Sequence, residues 1–288
     1  TTPFTYIATS EVISLLGAQP IFVDIYKQTY NINPDKIKEA LILAQREGLS
    51  PKAIIAVDLF GLPARYRLLQ KIAKKNNLYL IEDAAQGFGG SIRNQLTCSF
   101  GNVATTSFFP AKPLGCFGDG GAVFINDNEL ASLIRSIRVH GSGSDKYDNI
   151  RVGINGRLDT VQAAILLEKL NIFDNELILR NKIAKRYSEN IDKRYQKPHI
   201  PKDYFSSWAQ YSVVVDSKIK RNKIIEELSR KHIPSNIYYK IPLHLQKVYR
   251  NLGFRKGDFP ITESIANQIL SIPMHPYLNI SDQDKIIE

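Results

Sequence analysis

A lysine lies in a turn punctuated by proline and glycine, between two apolar runs of the sequence. Lys112 follows residues 103–109 and precedes residues 122–125, and both runs are typical of buried strands. A lysine held by such rigid flanks loses solvation, which lowers the pKa of its amine and makes the neutral amine available as a nucleophile. The chemistry that suits this amine is Schiff-base formation with an aldehyde, above all that of pyridoxal phosphate. The alternative is a solvent-exposed lysine that serves only solubility.

A carboxylate follows another predicted strand. Asp83 comes directly after residues 78–82 and is followed by Ala84, Ala85 and Gln86. A carboxylate placed there can keep a pyridine nitrogen protonated, so that the ring withdraws electrons. The small alanines would let a flat ring approach the backbone, and Gln86 offers an amide to a ring substituent. The alternative is an aspartate that caps a turn at the end of a strand.

Two further side chains suit the same ligand. Ser107 stands five residues before Lys112 and could donate its hydroxyl to a phosphate, or it could be satisfied locally at the end of its strand. Tyr6 could stack on the face of a ring, although a tyrosine near a strand end can also simply pack against its neighbours.

Composition bounds the kinds of protein that these residues belong to. The chain has 288 residues, of which 43% are hydrophobic, and contains no run of 18 apolar residues and no signal-peptide pattern, so we expect a soluble protein without a membrane span. The two cysteines, Cys98 and Cys116, form no paired motif, which favours a reducing cytoplasm and no metal site.

The net charge of +10 is spread over predicted helices, and no nucleic-acid-binding motif accompanies it. We therefore expect an anionic small substrate, which a basic protein attracts electrostatically, and no nucleic-acid partner.

The elements that position these residues alternate between helices and strands. The short apolar strands and the amphipathic helices predict an α/β protein with a mainly parallel sheet covered on both faces. Ligands bind beyond the carboxyl ends of the strands in such sheets, which is where Asp83 and Lys112 fall. The predicted helices cover residues 10–16, 33–45, 64–75 and 128–139, and the predicted strands cover residues 20–25, 53–60, 78–82, 103–109 and 122–126.

The pattern changes after Asp159. One helix is predicted from Asp159 to position 170, and a second, highly charged helix is predicted over residues 174–190. A strand over residues 210–215 and a helix over 218–231 then predict a smaller α+β domain. We place the boundary near position 170, which divides the chain into a large domain, 1–170, and a small domain, 171–288.

Five motifs follow one another in an order that marks a family. The motifs are residues 2–9 (TPFTYIAT), 82–86 (EDAAQ), 107–112 (SFFPAK), 118–122 (GDGGA) and 155–159 (NGRLD). With them the chain resembles the nucleotide-sugar aminotransferases of the DegT/DnrJ/EryC1/StrS family, which depend on pyridoxal 5'-phosphate and have the fold type I of aspartate aminotransferase. The resemblance covers essentially the whole chain.

The resemblance implies a role for each candidate residue. Lys112 would bind the cofactor aldehyde and move a proton between the cofactor and the sugar carbon. Asp83 would pair with the ring nitrogen and Gln86 with the ring hydroxyl. The remaining implied contacts are Ser107 with the phosphate, Tyr6 with the ring face, Ala85 beside the ring, and Asn155 with the phosphate in the partner subunit of a homodimer.

Longer stretches, 106–121, 150–170 and 271–277, are most similar to the enzymes that aminate a UDP-linked 2-acetamido-3-keto uronic acid. Glutamate is the amino donor of those enzymes, and their products enter bacterial surface polysaccharides such as lipopolysaccharide. Arg157 and His275 match positions that face the sugar, and a guanidinium suits the carboxylate of a uronic acid. The alternatives are an interface salt bridge for Arg157 and a structural role for His275 in its proline-bounded turn.

One departure and three alternatives accompany this interpretation. The family has a phosphate-binding segment at a helix N-terminus upstream of the position at which this sequence starts, so we expect the sequence to be a fragment of a longer protein. The alternatives are an aminotransferase for a 4-keto nucleotide sugar, a fragment that keeps the fold without catalysis, and a related dehydratase, which Lys112 disfavours because those enzymes carry histidine there.

Overall fold

Three of the four strands in the main sheet run parallel, as the alternation of strands and helices predicts. The structure is a computed structural model that describes residues 1–145 and 147–288. The helices are α1 (Ala8–Leu15), α2 (Ile37–Arg46), α3 (Tyr66–Lys75), α4 (Asn128–Arg138), α5 (Thr160–Asn190), α6 (Lys218–Arg230), α7 (Pro260–Gln268) and α8 (Ile280–Ile287). The strands are β1 (Ala53–Val57), β2 (Tyr79–Asp83), β3 (Ser91–Ile92), β4 (Gln95–Leu96), β5 (Val103–Ser107), β6 (Gly121–Ile125), β7 (Tyr204–Phe205), β8 (Tyr211–Val214) and β9 (Ile269–Ile272).

The main sheet has the strand order β1-β2-β5-β6. Strands β1, β2 and β5 are parallel, and β6 returns antiparallel to β5, with Gly121 opposite Ser107. Asp83 lies between Val57 on one side and Thr105 on the other. The carboxyl ends of the parallel strands therefore meet at one edge of the sheet, next to the segment that follows Ser107.

Helices bury one face of this sheet, whereas the opposite face, which the sequence predicts to be covered as well, leaves Tyr79 and Val123 exposed by 65% and 48%. On the buried face, Tyr66 and Leu69 of α3 pack against Ala56 and Leu80 of the strands. On the same face, α5 packs, through Phe173 and other residues, with the segment that follows β5, including Phe108, Leu114 and Cys116. Burial of this apolar surface is the main favourable contribution to the stability of such a layer.

The C-terminal part forms its own core. Strands β8 and β9 pair antiparallel, and α5, α6 and the segment around α8 pack around them. A small sheet of order β4-β3-β7 joins the two halves, because β7 pairs with β3. In the part of the chain that the structure describes, no helix is both long enough and apolar enough to cross a bilayer.

Two predicted elements are wrong. The sequence predicts separate helices over residues 159–170 and 174–190, but α5 is one helix of 31 residues. No glycine or proline interrupts positions 171–173, and Phe173 and Leu177 are buried, so the packed face continues through the predicted break. The boundary near position 170 falls inside this helix, and the division into domains 1–170 and 171–288 stays a prediction.

Residues 20–25 also do not form the predicted strand. Only Ile25 forms an isolated bridge, with Ile32, and Val23 N donates to Thr1 O at 2.8 Å. Scattered hydrogen bonds do not make a continuous ladder. The strands predicted over 53–60 and 103–109 end earlier, at Val57 and Ser107, which leaves the following residues free to turn at the edge of the sheet.

Candidate active site

Asp83 is the last residue of β2, and its carboxylate is held from two sides. Oδ2 accepts a hydrogen bond from Thr9 Oγ1 at 2.7 Å, and Oδ1 accepts one from Ala85 N at 3.2 Å. Thr9 lies in the first turn of α1, which brings this helix to the carboxyl end of the sheet. Hydrogen bonds to a carboxylate favour its charged form, so Asp83 is suited to hold a cationic ring nitrogen.

Lys112 lies in a tightly closed loop between β5 and β6. The loop is closed at its base by Phe108 N, which donates to Gly120 O at 2.8 Å, and Lys112 N donates to Phe109 O at 2.9 Å. A Cβ at Gly115 would lie 2.6 Å from Pro110 O, so only glycine allows this close approach. The backbone around Lys112 is thus fixed by the loop itself.

Helix α5 anchors the same loop from outside. Gln162 Oε1 accepts from Phe117 N at 2.8 Å, and Lys169 Nζ donates to Gly115 O at 2.5 Å. The contacts of these two residues with the loop are not predicted from the sequence, because the periodicity of a helix does not indicate which distant loop a side chain reaches.

The amine of Lys112 is partly buried and lies within electrostatic reach of Asp83. Burial lowers the pKa of the Lys112 amine, and the charge of Asp83 acts in the opposite direction but more weakly. The result is an amine that loses its proton more readily than an ordinary lysine, beside a carboxylate. This pairing supplies a nucleophilic amine and a partner for a positive charge in the same cleft.

Gln86 has only one orientation that satisfies its neighbours. Its Oε1 accepts from Phe60 N at 2.6 Å, and its Nε2 donates to the hydroxyl of Tyr239 at 3.1 Å. In this orientation the second N–H of the Gln86 amide is available to a ligand. Tyr239 comes from the C-terminal half of the chain, and sequence analysis did not identify it.

Aromatic rings line the space beside Gln86. The rings of Tyr6 and Tyr239 lie 6.5 Å apart between centroids, and Phe4 meets Tyr239 edge to face at 6.1 Å. Tyr6 is 62% exposed, so one face of its ring is available to a flat ligand. Ala85 is partly exposed nearby, and Ala84 is buried.

Ser107 ends β5 with its hydroxyl partly engaged. Its Oγ accepts from Phe109 N at 3.2 Å, which leaves the hydroxyl proton available to an anion. Six of the predicted residues (Tyr6, Asp83, Ala85, Gln86, Ser107 and Lys112) thus come from segments that meet at or beside the carboxyl edge of the sheet.

The other three predicted residues lie elsewhere on the surface. Asn155 is exposed and forms a bridge with Val139, and Arg157 is exposed two residues later. His275 is exposed beside Arg180, and burial, followed by the charge of Arg180, lowers the pKa of its imidazole. Within residues 1–145 and 147–288, no hydrogen bond or ion pair joins these side chains to Lys112 or Asp83.

The site's donor set fits one kind of ligand. A deprotonatable amine, a charged carboxylate, an amide N–H, a hydroxyl and an exposed aromatic face suit a flat pyridine aldehyde that bears an anionic group. Elsewhere in the described ranges, 1–145 and 147–288, no three His, Cys, Asp or Glu side chains cluster closely enough to hold a metal ion.

Comparison with known proteins gives a consistent result over the full length. The model of the DegT/DnrJ/EryC1/StrS aminotransferase family matches residues 1–288. The chain is 44% identical over 277 residues to a UDP-2-acetamido-2-deoxy-3-oxo-D-glucuronate aminotransferase of Pseudomonas aeruginosa, an alignment that covers 96% of this chain and 74% of that protein.

Solved structures resemble the whole fold. A DegT/DnrJ/EryC1/StrS aminotransferase from Brucella abortus has a TM-score of 0.95 at 49% identity, covering 99% of this chain and 76% of that one. DesV of S. venezuelae, solved in complex with a ketimine intermediate, has a TM-score of 0.92 at 32% identity, with 100% and 75% covered. The PLP-form of the Streptococcus pneumoniae sugar aminotransferase Spr1654 has a TM-score of 0.89 at 26% identity, with 99% and 78% covered.

Proposed function

The chain belongs to the DegT/DnrJ/EryC1/StrS aminotransferase family, and from that premise we propose that it is a pyridoxal phosphate-dependent aminotransferase of nucleotide-linked keto sugars. The observation that carries this proposal is the placement of Lys112 and Asp83. A partly buried amine with a lowered pKa lies within electrostatic reach of a carboxylate that two donors hold in place.

Each residue of the cleft has a proposed task. Pyridoxal phosphate, when bound, supplies the electron sink through which an amino group moves from an amino donor to a keto carbon. Lys112 Nζ would hold the cofactor aldehyde carbon and then carry the proton at the reacting carbon, while Asp83 keeps the ring nitrogen protonated. Gln86 would donate to the ring hydroxyl, Ser107 would donate to the phosphate, and Tyr6 would cover one ring face beside Ala85.

The substrate that we propose is a UDP-linked 2-acetamido-3-keto uronic acid, with glutamate as amino donor. The 44% identity with an aminotransferase named for such a sugar supports this choice. The net charge of +10 also suits a ligand that carries both a carboxylate and a diphosphate. Arg157 would grip the sugar carboxylate with its guanidinium, and His275 would face the sugar.

We further propose a homodimer with shared active sites. Asn155 and Arg157 stand apart from Lys112 in one chain, and the surface that carries them is rich in exposed apolar side chains, such as Val152, which is 95% exposed. Large exposed apolar patches mark protein–protein contacts. In such a dimer, Asn155 of each subunit would reach the cofactor phosphate of the partner.

We propose that the product is used in the synthesis of surface polysaccharides, including lipopolysaccharide. The location of the protein in the cytoplasm stays a prediction. These two points follow from the resemblance and from the free cysteines rather than from the geometry of the cleft.

An amination assay tests the proposed reaction. Purified protein with pyridoxal phosphate and glutamate is incubated with UDP- and dTDP-linked 3-keto and 4-keto sugars, with and without a 6-carboxylate. We expect amination of the UDP-3-keto uronic acid, and none by Lys112→Ala. Preference for a 4-keto sugar would replace the proposed substrate, and a protein that binds no cofactor and aminates nothing would support a non-catalytic fragment.

A further inference from the structure

A carboxyl group that the proposed reaction does not use is buried next to Asp83. Asp58 follows β1 directly and is fully buried. Its Oδ1 accepts from Ala64 N at 2.9 Å and from the hydroxyl of Tyr66 at 2.7 Å. Its Oδ2 is also buried, and among the residues that the structure describes no group donates to it. A charged Asp58 would leave this oxygen without compensation, which is costly in a protein interior.

A second carboxyl group lies near the first. Glu82 lies in β2, is fully buried and pairs with Ala56, two residues before Asp58. The charge of Glu82 raises the pKa of Asp58, so the two groups lie within electrostatic reach of each other. Three backbone N–H groups of the turn at 98–101 point at Glu82. Cys98 N donates to Oε1 at 2.5 Å, and Oε2 accepts from Phe100 N at 2.8 Å and from Gly101 N at 3.3 Å.

Two neighbouring carboxyl groups that are shielded from water do not both ionise readily. Three backbone N–H groups of the turn at 98–101, those of Cys98, Phe100 and Gly101, donate to Glu82, whereas Oδ2 of Asp58 accepts no hydrogen bond from the described residues. We propose that Asp58 and Glu82 share one proton, with Asp58 as the donor and Glu82 as the charged acceptor, and that this pair positions Asp83.

The position of the pair gives it that role. Asp58 N donates to Asp83 O at 3.0 Å, and Glu82 is the residue immediately before Asp83. Through its other hydrogen bonds the pair also ties the start of α3 and the turn at 98–101 to the ends of β1 and β2. A Cβ at Gly87 would lie 2.5 Å from Asp58 Cβ, so the pocket is closed on that side as well. Asp58 and Glu82 are positioning residues, because neither faces the cleft.

The titratable groups around Asp58 are Glu82, Asp83, Tyr66, Cys98 and Tyr204. Burial, then the charge of Glu82, raises the pKa of Asp58 well above its usual range, and the hydroxyl of Tyr66 opposes this. Burial and the charges of Glu82 and Asp58 raise the pKa of Cys98. Burial also raises the pKa of Tyr204, and the charge of Asp58 adds to that effect. Among the described residues, no positively charged group is a main cause of the raised pKa of Asp58.

The raised pKa has a defined effect on stability. The folded protein keeps a proton on Asp58 that the unfolded chain releases above a pH of about 4. Because the folded state binds one more proton than the unfolded chain, the free energy of unfolding decreases as the pH rises from about 4 towards the pKa of Asp58 in the folded protein. The Asp58→Asn variant keeps the acceptor for Ala64 and Tyr66, and its amide N–H₂ replaces the proton given to Glu82. We therefore expect Asp58→Asn not to lose this stability as the pH rises.

Infrared difference spectroscopy and thermal unfolding test the pair. We expect wild-type protein labelled with [13C]aspartate to show the C=O band of a protonated carboxylic acid at neutral pH, and Asp58→Asn to lack it. The Tm of Asp58→Asn minus that of wild type should increase as the pH rises above about 4, the pKa of an unperturbed aspartate. Asp174 is exposed, and Asp174→Asn serves as the control. Its Tm should differ from that of wild type by the same amount at every pH. Glu82→Gln should be destabilised at every pH, because its amide N–H₂ would face backbone N–H groups.

The positioning of Asp83 has its own readout, which rests on the proposed function. Asp58→Asn should retain pyridoxal phosphate up to a higher pH than wild type does. Absence of a protonated carboxyl band in the labelled wild type, or a Tm difference that does not change with pH, would overturn the pair even if the variants fold poorly. The spectroscopic and melting experiments need no cofactor, so their failure would leave the proposed aminotransferase activity untouched.

Discussion

The hydroxyl of Thr9 donates a 2.7 Å hydrogen bond to Asp83 Oδ2, although the two residues are 74 positions apart. Thr5 Oγ1 lies 3.1 Å from Thr9 Oγ1, and because the proton of Thr9 goes to Asp83, Thr5 is the donor in that contact. Two hydroxyl groups in series therefore support the charged carboxylate. Hydrogen bonds to a charged acceptor are stronger than those between neutral groups, so this contact both orients Asp83 and favours its anion.

Replacing Thr9 with valine removes this donor and keeps the shape of the side chain. The loss of a hydrogen bond to a charged group is worth about 1.5–3 kcal/mol, so we expect pyridoxal phosphate to bind about tenfold or more weakly. Titration of cofactor-free protein, followed by absorbance, measures the change. Thr9→Ser keeps the hydroxyl and should bind as wild type does; unchanged binding by Thr9→Val would remove the role of Thr9.

Tyr239 should act on the cofactor through Gln86. Tyr239→Phe removes the acceptor of the Gln86 N–H₂ group, and we expect cofactor binding to weaken by about 0.5–1.5 kcal/mol, the net value of an ordinary hydrogen bond. Tyr238→Phe is the neighbouring control. In a double-mutant cycle, Tyr239→Phe should have little further effect once Gln86 is replaced by alanine. Equal effects with and without Gln86 would show that Tyr239 acts independently.

The amine of Lys112 should react at a lower pH than the other lysines. Burial lowers its pKa, so its neutral form persists below the pH of about 10.4 at which an ordinary lysine is half-protonated. Modification of cofactor-free protein by an amine-reactive reagent, quantified for the Lys112 peptide by mass spectrometry, gives the pH profile. Asp83→Asn removes the charge that raises this pKa, so the midpoint should shift to still lower pH. A shift in the opposite direction would contradict the electrostatic relationship between the two residues.

Arg157 should matter only for substrates with a sugar carboxylate. Arg157→Ala is expected to weaken use of a uronic acid substrate by about 1.5–3 kcal/mol in kcat/KM, and to leave the neutral 6-hydroxymethyl sugar nearly unchanged. Arg157→Lys keeps the charge without the planar guanidinium, so its kcat/KM for the uronic acid should lie between those of wild type and Arg157→Ala. The proposed contact would be refuted if the wild-type protein used both sugars equally well.

Local sequence patterns predicted that Lys112 and Asp83 lie at or after the ends of strands, and the structure has them there, while their roles stay predictions. Each follows an apolar run that forms a strand, and the parallel arrangement of β2 and β5 brings the ends of those strands together. The family fold is confirmed by the comparisons over residues 1–288. Thr9 and Tyr239 could not be found in this way, since their partners are 74 and 153 positions away and their immediate sequence surroundings carry no signal of those contacts.

The errors in the predicted elements have the same physical origin. The predicted break before Asp174 rests on a residue type that often caps helices, but burial of Phe173 and Leu177 continues one face of α5 through it. Residues 20–25 have the composition of a strand, yet a strand also needs a partner along its length, and here only Ile25 forms a bridge. Tertiary packing decided both cases.

We propose Lys112 as the residue that binds pyridoxal phosphate. Borohydride reduction of the protein with pyridoxal phosphate, followed by peptide mass spectrometry, identifies the lysine that binds, because reduction makes the bond between amine and cofactor permanent. We expect one phosphopyridoxyl group, on the peptide that contains Lys112, and none on that peptide in Lys112→Ala. Labelling spread over exposed lysines, with Lys112 unmodified, would contradict the assignment.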